Sequence, residues 1–557
     1  MYVKYTKNNI RWLVKGTLSD SLKGLLDSID EDKNYEIIRN GNNRRVLKYT
    51  HGHESFYIKQ YSVKYGLQGI KTLFSLSKAH REWDRSLLLI ANHLLTAEPV
   101  AIGEKRRFGI LKSCYIISKE IPRSTTVRNV LIKNQSSSEN YKLLKGNTLL
   151  NNLISYIKRI HDLGVFHGEL HADNILVNQD DLTSFYLIDL GRTKLKEKLS
   201  LSLRIQDMAR LLYSLMPVCT GEEIMGLINK YVNHMGHLKE KKLFTEKVFN
   251  KLYKIKRRIW YSRAHKSLKS NDVFKVTKYN KYAINMRNEW NLNVLLALIS
   301  KHDVSLKKRI GNIIKISSKT NINCIPTSGE GEVERVYIKE YKYLSFSKQL
   351  LYSFHNSPAR KAWFAAHGLM ALGFRTPQPI ALLEERDFYR IKRSLIISED
   401  LSPCLVSNKY MSEKFRDLFD KGISQKKRMF ISCLAASFQQ LHNSNIYHGD
   451  LKAENILVME LQNGWDFYYL DLDRVFFNKK ITLRRKIKNL SQLNASMPNC
   501  ITYTDRLRFY RAYAGVESFT KEHKQILQII IHGSRQRNDS WNPSYKIHRS
   551  RPFSMKG

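Results

Sequence analysis

Apolar residues recur along the chain with two different periods, and the changes from one period to the other mark its organisation. Phe430, Leu434, Phe438 and Leu441 fall at i, i+4, i+8 and i+11, the spacing of a helix that buries one face. Soon after, Ile456-Leu457-Val458 and Phe467-Tyr468-Tyr469-Leu470 read as two short buried strands, joined by the polar turn Gln462-Asn463-Gly464. Between helix and hairpin lies a polar loop, His448 to Asn455. Further back, Arg204, Asp207, Met208, Leu211 and Leu212 predict an amphipathic helix, and Leu22, Leu25, Leu26 and Ile29 a short one. Residues 1–34 otherwise read as a polar lead-in, with a sheet expected from Tyr35 that includes Tyr57-Ile58-Lys59. The stretch from about Leu238 to Lys275, rich in Lys, Arg and aromatic residues, reads as the end of one unit and a linker.

The helix, loop and hairpin occur twice. His448-Gly449-Asp450-Leu451-Lys452-Ala453-Glu454-Asn455 has its counterpart in His167-Gly168-Glu169-Leu170-His171-Ala172-Asp173-Asn174, 281 residues earlier. Lys59 and Lys339, Trp83 and Trp363, Pro99 and Pro379, and Ser118 and Ser398 keep an offset of 280. So steady an offset means tandem duplication. It predicts two units, residues 1–275 and 276–532, with 533–557 a basic flexible tail lacking apolar periodicity.

The spacing within the loop suits phosphoryl transfer, which needs a carboxylate beside the attacking hydroxyl and oxygen ligands for magnesium. Asp450 would orient the hydroxyl and take its proton. Asn455, five residues on, and Asp471, on the next strand, would hold Mg2+. A lone H-x-D is most often a surface turn, but the helix before it, the strands after it and the second copy lift this one above that reading. The histidines at the ends of the helices and the starts of the loops, His161, His167, His442 and His448, are expected to hold backbone in place.

Each half lacks something that the other has. Lys59 would grip the phosphates of ATP in the first unit, with Glu82 as its carboxylate partner, and Asn174 and Asp189 as metal ligands; but Glu169 stands where the second unit has Asp450. Lys339 is the phosphate lysine of the second unit, yet Ala362 occupies the place of Glu82. Neither half has a full G-x-G-x-x-G; Gly329 and Gly331 read as a hairpin turn. The segments at Ser118 to Glu120 and Ser398 to Asp400 are the expected hinges, where backbone groups would bind adenine. Asp450 bears directly on the chemistry, so the second unit is the expected catalyst, with Lys452 helping to neutralise the transferred group. The first is expected to be a weak kinase, a nucleotide-binding regulator or a scaffold.

Both halves resemble the lipopolysaccharide core kinases, the Kdo and heptose kinase family, itself similar to the protein kinases. The resemblance rests on Tyr337-Ile338-Lys339, Ser357-Pro358-Ala359-Arg360-Lys361-Ala362-Trp363, Thr376-Pro377-Gln378-Pro379, His448-Gly449-Asp450-Leu451-Lys452, Asp471-Leu472-Asp473-Arg474 and Leu490-Ser491-Gln492-Leu493-Asn494. It implies an α+β chain of two tandem protein-kinase-like domains, each with a β-rich N-lobe and a helical C-lobe. It also implies ATP and Mg2+ as cofactors, and as acceptor a sugar hydroxyl of the lipopolysaccharide inner core or its lipid-linked precursor. A protein or small-molecule kinase would share these residues, and a non-catalytic pseudokinase adaptor would explain Glu169, Ala362 and the missing glycine loop.

Charge adds a partner to this picture. Of 557 residues 94 are basic and 50 acidic, a net +44, which draws the chain to anionic surfaces. Nucleic acid would attract it equally on charge alone. The motifs turn the expectation away from nucleic acid and toward the inner face of the inner membrane, with the oligomeric state left open. Six widely spaced cysteines without a C-x-x-C pair predict reduced thiols, and no apolar run is long enough to span a membrane, so a cytoplasmic protein is expected.

Overall fold

The structure is a computed structural model. It describes residues 2–29, 35–41, 44–63, 72, 75–135, 139–233, 235, 237–327, 333–388, 390–417, 420–462, 464–477 and 481–537, for 134, 135 and 139–147 as backbone alone. Gly329, Gly331, Asn463 and residues 538–557, on which some of the expectations above fall, lie outside these. Contacts divide the chain into two compact units, residues 1–255 and 256–557.

The first unit opens on a seven-stranded antiparallel sheet: β1 (Tyr2–Lys7), β2 (Ile10–Lys15), β3 (Glu36–Gly41), β4 (Arg44–His51), β5 (Glu54–Ser62), β6 (Pro99–Arg107) and β7 (Ile110–Lys119), in the order β1-β2-β6-β7-β5-β4-β3. The sheet therefore begins at Tyr2 and not at Tyr35. The residues read as a polar lead-in alternate, with Ile10, Trp12 and Val14 buried on one face. The helix Asp20–Asp27 covers that face with Leu22, Leu25 and Leu26, as their spacing predicts. On the other face the helix Lys78–Ala91, capped by Ser77, buries Ala79, Glu82, Trp83 and Ser86.

Beyond the sheet the chain is mostly helical. The long helix Glu139–Asp162 leads into β9 (Val165–Phe166) and the loop at His167. Two small ladders frame that loop: β8 (Ser124–Thr126) with β10 (Ile175–Asn178) and β11 (Phe185–Leu187), and β9 with β12 (Lys194–Leu195). The helix Leu201–Leu215 buries Ile205, Asp207, Met208, Leu211 and Leu212 behind it.

The second unit repeats this plan. Strands β13 (Phe274–Tyr279), β14 (Tyr282–Arg287), β15 (Asn312–Ile316), β16 (Thr320–Pro326), β17 (Arg335–Lys342), β18 (Pro379–Asp387) and β19 (Arg390–Glu399) take the order β13-β14-β18-β19-β17-β16-β15, strand for strand that of the first sheet. The helix Lys421–Asn443 buries Phe430, Leu434, Phe438 and Leu441 completely and delivers the chain to His448. Around the loop, β20 (Leu405–Val406) pairs with β22 (Ile456–Leu461) and β23 (Gly464–Tyr469), and β21 (Tyr447–His448) with β24 (Val475–Phe476).

Two further expectations need correction. The stretch read as the end of one unit and a linker forms, over most of its length, the helix Leu238–Lys266. Phe244, Val248 and Leu252, at i, i+4 and i+8, are buried in the first unit, and Trp260 stacks on Phe477 in the second with ring centroids 4.3 Å apart. The long basic side chains lie along its polar faces. The residues assigned to the tail begin inside the helix Lys521–Arg535, where the buried Ser534 donates to Ser491 O at 3.2 Å. All six cysteines are free thiols. Among the described residues no helix is long and apolar enough to cross a membrane.

Candidate active sites

In the second unit a buried histidine sets the loop. His448 Nε2 donates to Leu470 O at 2.8 Å, and Nδ1 accepts from Asp450 N at 3.2 Å, so the ring ties the loop to the residue before Asp471. One nitrogen donates and the other accepts, which requires the neutral ring. Burial pushes its pKa down accordingly. Gly449 cannot carry a side chain: a Cβ there would lie 2.9 Å from Arg474 Cβ and 3.1 Å from its carbonyl oxygen. The helix Leu483–Ser496 supports the loop from below with residues at i, i+3 and i+7. Asn489 Nδ2 donates to His448 O at 2.6 Å, Gln492 Nε2 to Gly449 O at 3.0 Å, and Ser496 Oγ accepts from Ala453 N at 2.8 Å.

Asp450 is held from both sides. Asn455 Nδ2 donates to its backbone oxygen at 2.7 Å and to its Oδ2 at 3.2 Å, and Gln492 Nε2 lies 3.5 Å from its Oδ1. Asn455 spends its amide nitrogen on Asp450 and so keeps its oxygen for another partner. Asp471 follows β23 in the left-handed region, φ 55°, which aspartate tolerates. Its carboxylate pairs with Lys339 Nζ. Burial opposes ionisation of Asp471, but the Lys339 ammonium and a hydrogen bond from Asp473 outweigh it and lower its pKa. Burial and the Asp471 carboxylate push Asp473 up in turn. Ala362 packs into the helical core, so the helix Pro358–Ala371 offers no carboxylate and Asp471 takes that part. The Lys452 ammonium lies 3.9 Å from Glu454 Oε2.

The first unit uses the same frame with different charges. His167 Nε2 donates to Ile188 O at 3.1 Å and its Nδ1 accepts from Glu169 N at 3.2 Å. Here the supporting helix presents Asp207, which accepts from His167 N at 2.7 Å and Gly168 N at 3.0 Å, where Asn489 stands in the second unit. Asn174 Nδ2 donates to Glu169 O at 2.8 Å. Lys59 Nζ meets Glu82 Oε1, and Tyr61 Oη donates to Glu82 Oε2 at 2.8 Å. Asp189, at φ 63°, carries Arg44 Nη1 at 2.8 Å, and Glu169 carries Arg192 Nη1 at 3.1 Å. Burial raises the Asp189 pKa, but Lys59 and Arg44 outweigh it and the net shift is down.

Each unit thus brings its lysine, asparagine and two carboxylates to one end of its small ladders. At both hinges the amides turn back into the sheet, Glu120 N to Ser55 O at 2.8 Å and Asp400 N to Arg335 O at 3.1 Å, which removes those two donors from adenine recognition. Sequence reasoning missed Arg44, Arg192, Gln492 and Asp473. Gln492 and Asp473 stand inside segments already singled out. Arg44 is 145 residues from its partner and follows no pattern. Among the described residues no three His, Cys, Asp or Glu side chains cluster for a metal. Magnesium on a nucleotide needs less, since phosphates and water complete its shell around one or two protein oxygens. Asp471 and the Asn455 amide oxygen fit that donor set.

The model of the lipopolysaccharide kinase (Kdo/WaaP) family matches residues 31–231 and again 326–513, once in each unit. Among solved structures, WaaP in complex with acyl carrier protein is 17% identical, covering 43% of this chain and 98% of its own, with a TM-score of 0.32. A Stt7 homolog from Micromonas algae soaked with ATP is 16% identical over 29% of this chain and 49% of its own, with a TM-score of 0.22. The Toxoplasma gondii specific rhoptry antigen kinase domain is 11% identical over 39% and 82%, with a TM-score of 0.27. No curated protein matches the chain. With two kinase-like units, each matched over its lysine strand and its loop, the chain belongs to the lipopolysaccharide kinase (Kdo/WaaP) family.

Proposed function

We propose that the second unit transfers the γ-phosphate of ATP to a sugar hydroxyl, Kdo or heptose, of the lipopolysaccharide inner core or its lipid-linked precursor, at the cytoplasmic face of the inner membrane. The observation that carries this is the state of Asp450. Its carboxylate is positioned by Asn455 and Gln492 and has no cation on it among the ion pairs of the described residues, whereas Glu169 in the first unit is paired with Arg192. A base must have a free oxygen within reach of the proton that it takes.

Asp450 would accept the proton of the sugar hydroxyl as the oxygen attacks. Lys339 would leave Asp471 for the phosphates, and Asp471 with Asn455 would hold magnesium, whose charge stabilises the phosphates in transfer. Lys452, on the same loop, is available to the transferred group. His448, neutral in this pair of hydrogen bonds, keeps Asp450 and Asp471 in register. The sugar acceptor rests on family membership, and the net charge of +44 supports an anionic glycolipid surface. Incubation with γ-labelled ATP and truncated lipopolysaccharide cores tests the reading. Label should enter the core with the wild-type chain, and a chain that binds ATP yet labels none of the cores would exclude the acceptor.

A further inference from the structure

We infer that the first unit binds a nucleoside triphosphate without a divalent cation, the Arg44 guanidinium supplying at Asp189 the charge that a metal supplies in a magnesium-dependent site. This rests on reading the two units as related nucleotide sites. The argument comes from comparing the same position in the two copies. Strand register sets Arg44 opposite Tyr61 on the strand that carries Lys59, and Thr320 opposite Tyr341 on the strand that carries Lys339. One copy therefore has a permanent cation at the edge of the phosphate site where the other has a hydroxyl. Arg44 lies over the Tyr61 ring at 5.7 Å and reaches Asp189 Oδ2 at 2.8 Å, and its buried Nε meets no acceptor among the described residues.

Asn174, like Asn455, spends its amide nitrogen on the loop backbone and keeps its oxygen, but the carboxylates of the first unit do not fit magnesium. Its three site carboxylates each carry a cation already: Glu82 has Lys59, Asp189 has Arg44, and Glu169 has Arg192. A metal would have to displace a guanidinium that does not deprotonate, and would then sit beside its charge. A polyphosphate meets the opposite situation. Arg44 and Lys59 offer it charge-assisted donors, Arg44 with the planar geometry that suits phosphate oxygens. In the second unit Asp471 has Lys339 alone, which must move to the phosphates and so leaves Asp471 for the metal.

The test uses the full chain with the second site disabled by Lys339→Ala and Asp471→Asn, and a fluorescent ATP analogue titrated with magnesium or with EDTA. The expected result is binding of equal affinity in both. Arg44→Gln in this background should weaken binding in EDTA by about tenfold, about the loss of one charge-assisted hydrogen bond, and Arg44→Lys should restore part of it. Matching thermal unfolding of the variants without nucleotide shows that they fold. Binding that disappears in EDTA, binding unchanged by Arg44→Gln, or no binding in either medium overturns the inference. Transfer to lipopolysaccharide by the wild-type chain stands or falls separately.

Discussion

One methylene separates Glu169 from Asp450, and in a site where a displacement of about 1 Å already costs much of the rate, that is a chemical difference. Asp450→Asn keeps the hydrogen-bond frame of Asn455 and Gln492 but removes the base. We expect transfer to fall by about 10²- to 10⁴-fold while the thermal shift produced by magnesium and ATP is retained. Asp471→Asn should lose transfer and the part of the shift that needs magnesium, leaving the part that EDTA does not remove. Gly449→Ala forces a Cβ against Arg474 and should lower stability and activity together, a loss that circular dichroism melting would report. At this scale the pair Lys59 and Glu82 was legible because both lie on regular elements whose register the duplication exposed. Arg44 was not, since only the folded sheet carries it to Asp189. That Asp471 itself partners Lys339 follows from the alanine at 362, which signalled a missing carboxylate but not its replacement.

Among the elements, the helices that end in His161 and His442 anchor the two loops in the same way, through tyrosine: His161 Nδ1 to Tyr231 Oη and His442 Nδ1 to Tyr513 Oη, both 2.7 Å. Burial lowers the His442 pKa to about 4, against the hydrogen bond to Asn489, which raises it, and Lys486 lowers it further. The unfolded chain therefore takes up a proton near pH 6.5 that the folded chain refuses. Stability is fully present above about pH 6.5 and is lost as the pH falls toward about 4, by roughly 3 kcal/mol from this residue alone. Urea unfolding at a series of pH values measures it; a midpoint that does not move between pH 7 and 5 would contradict it. Phe438→Ala, in the fully buried stripe of the same helix, should cost about 3–5 kcal/mol in the same assay. That stripe was plain in the sequence. The hairpin of β1 and β2 and the helix Leu238–Lys266 were not, although Ile10, Trp12 and Val14 keep the period of a strand, and Phe244, Val248 and Leu252 that of a helix. Dense charge hid both, because lysine and arginine place their stems on apolar surface and their charges in water.

For the whole molecule, duplication has produced two units with one frame and different charges around it. The first pairs each of its site carboxylates with a cation; in the second Asp471 is paired with Lys339, while Asp450 enters no ion pair among the described residues. The constant offset made the duplication legible from residue identities alone. The division of charge was not legible, because it depends on which side chains meet. The overall charge of +44 carries its own prediction. Sedimentation with vesicles of anionic lipid should retain the chain at about 0.1 M salt and release it toward about 1 M, where the screening length falls from about 10 to about 3 Å, and neutral vesicles should not retain it. Retention unaffected by salt would point to apolar insertion instead. The central claim is that the second unit performs the transfer. Labelled γ-phosphate transfer from ATP to truncated lipopolysaccharide cores, measured for the wild type, Asp450→Asn and Glu169→Gln, tests it most directly. The account predicts that Asp450→Asn lowers labelling by about 10²- to 10⁴-fold and Glu169→Gln leaves most of it; the reverse pattern would contradict it.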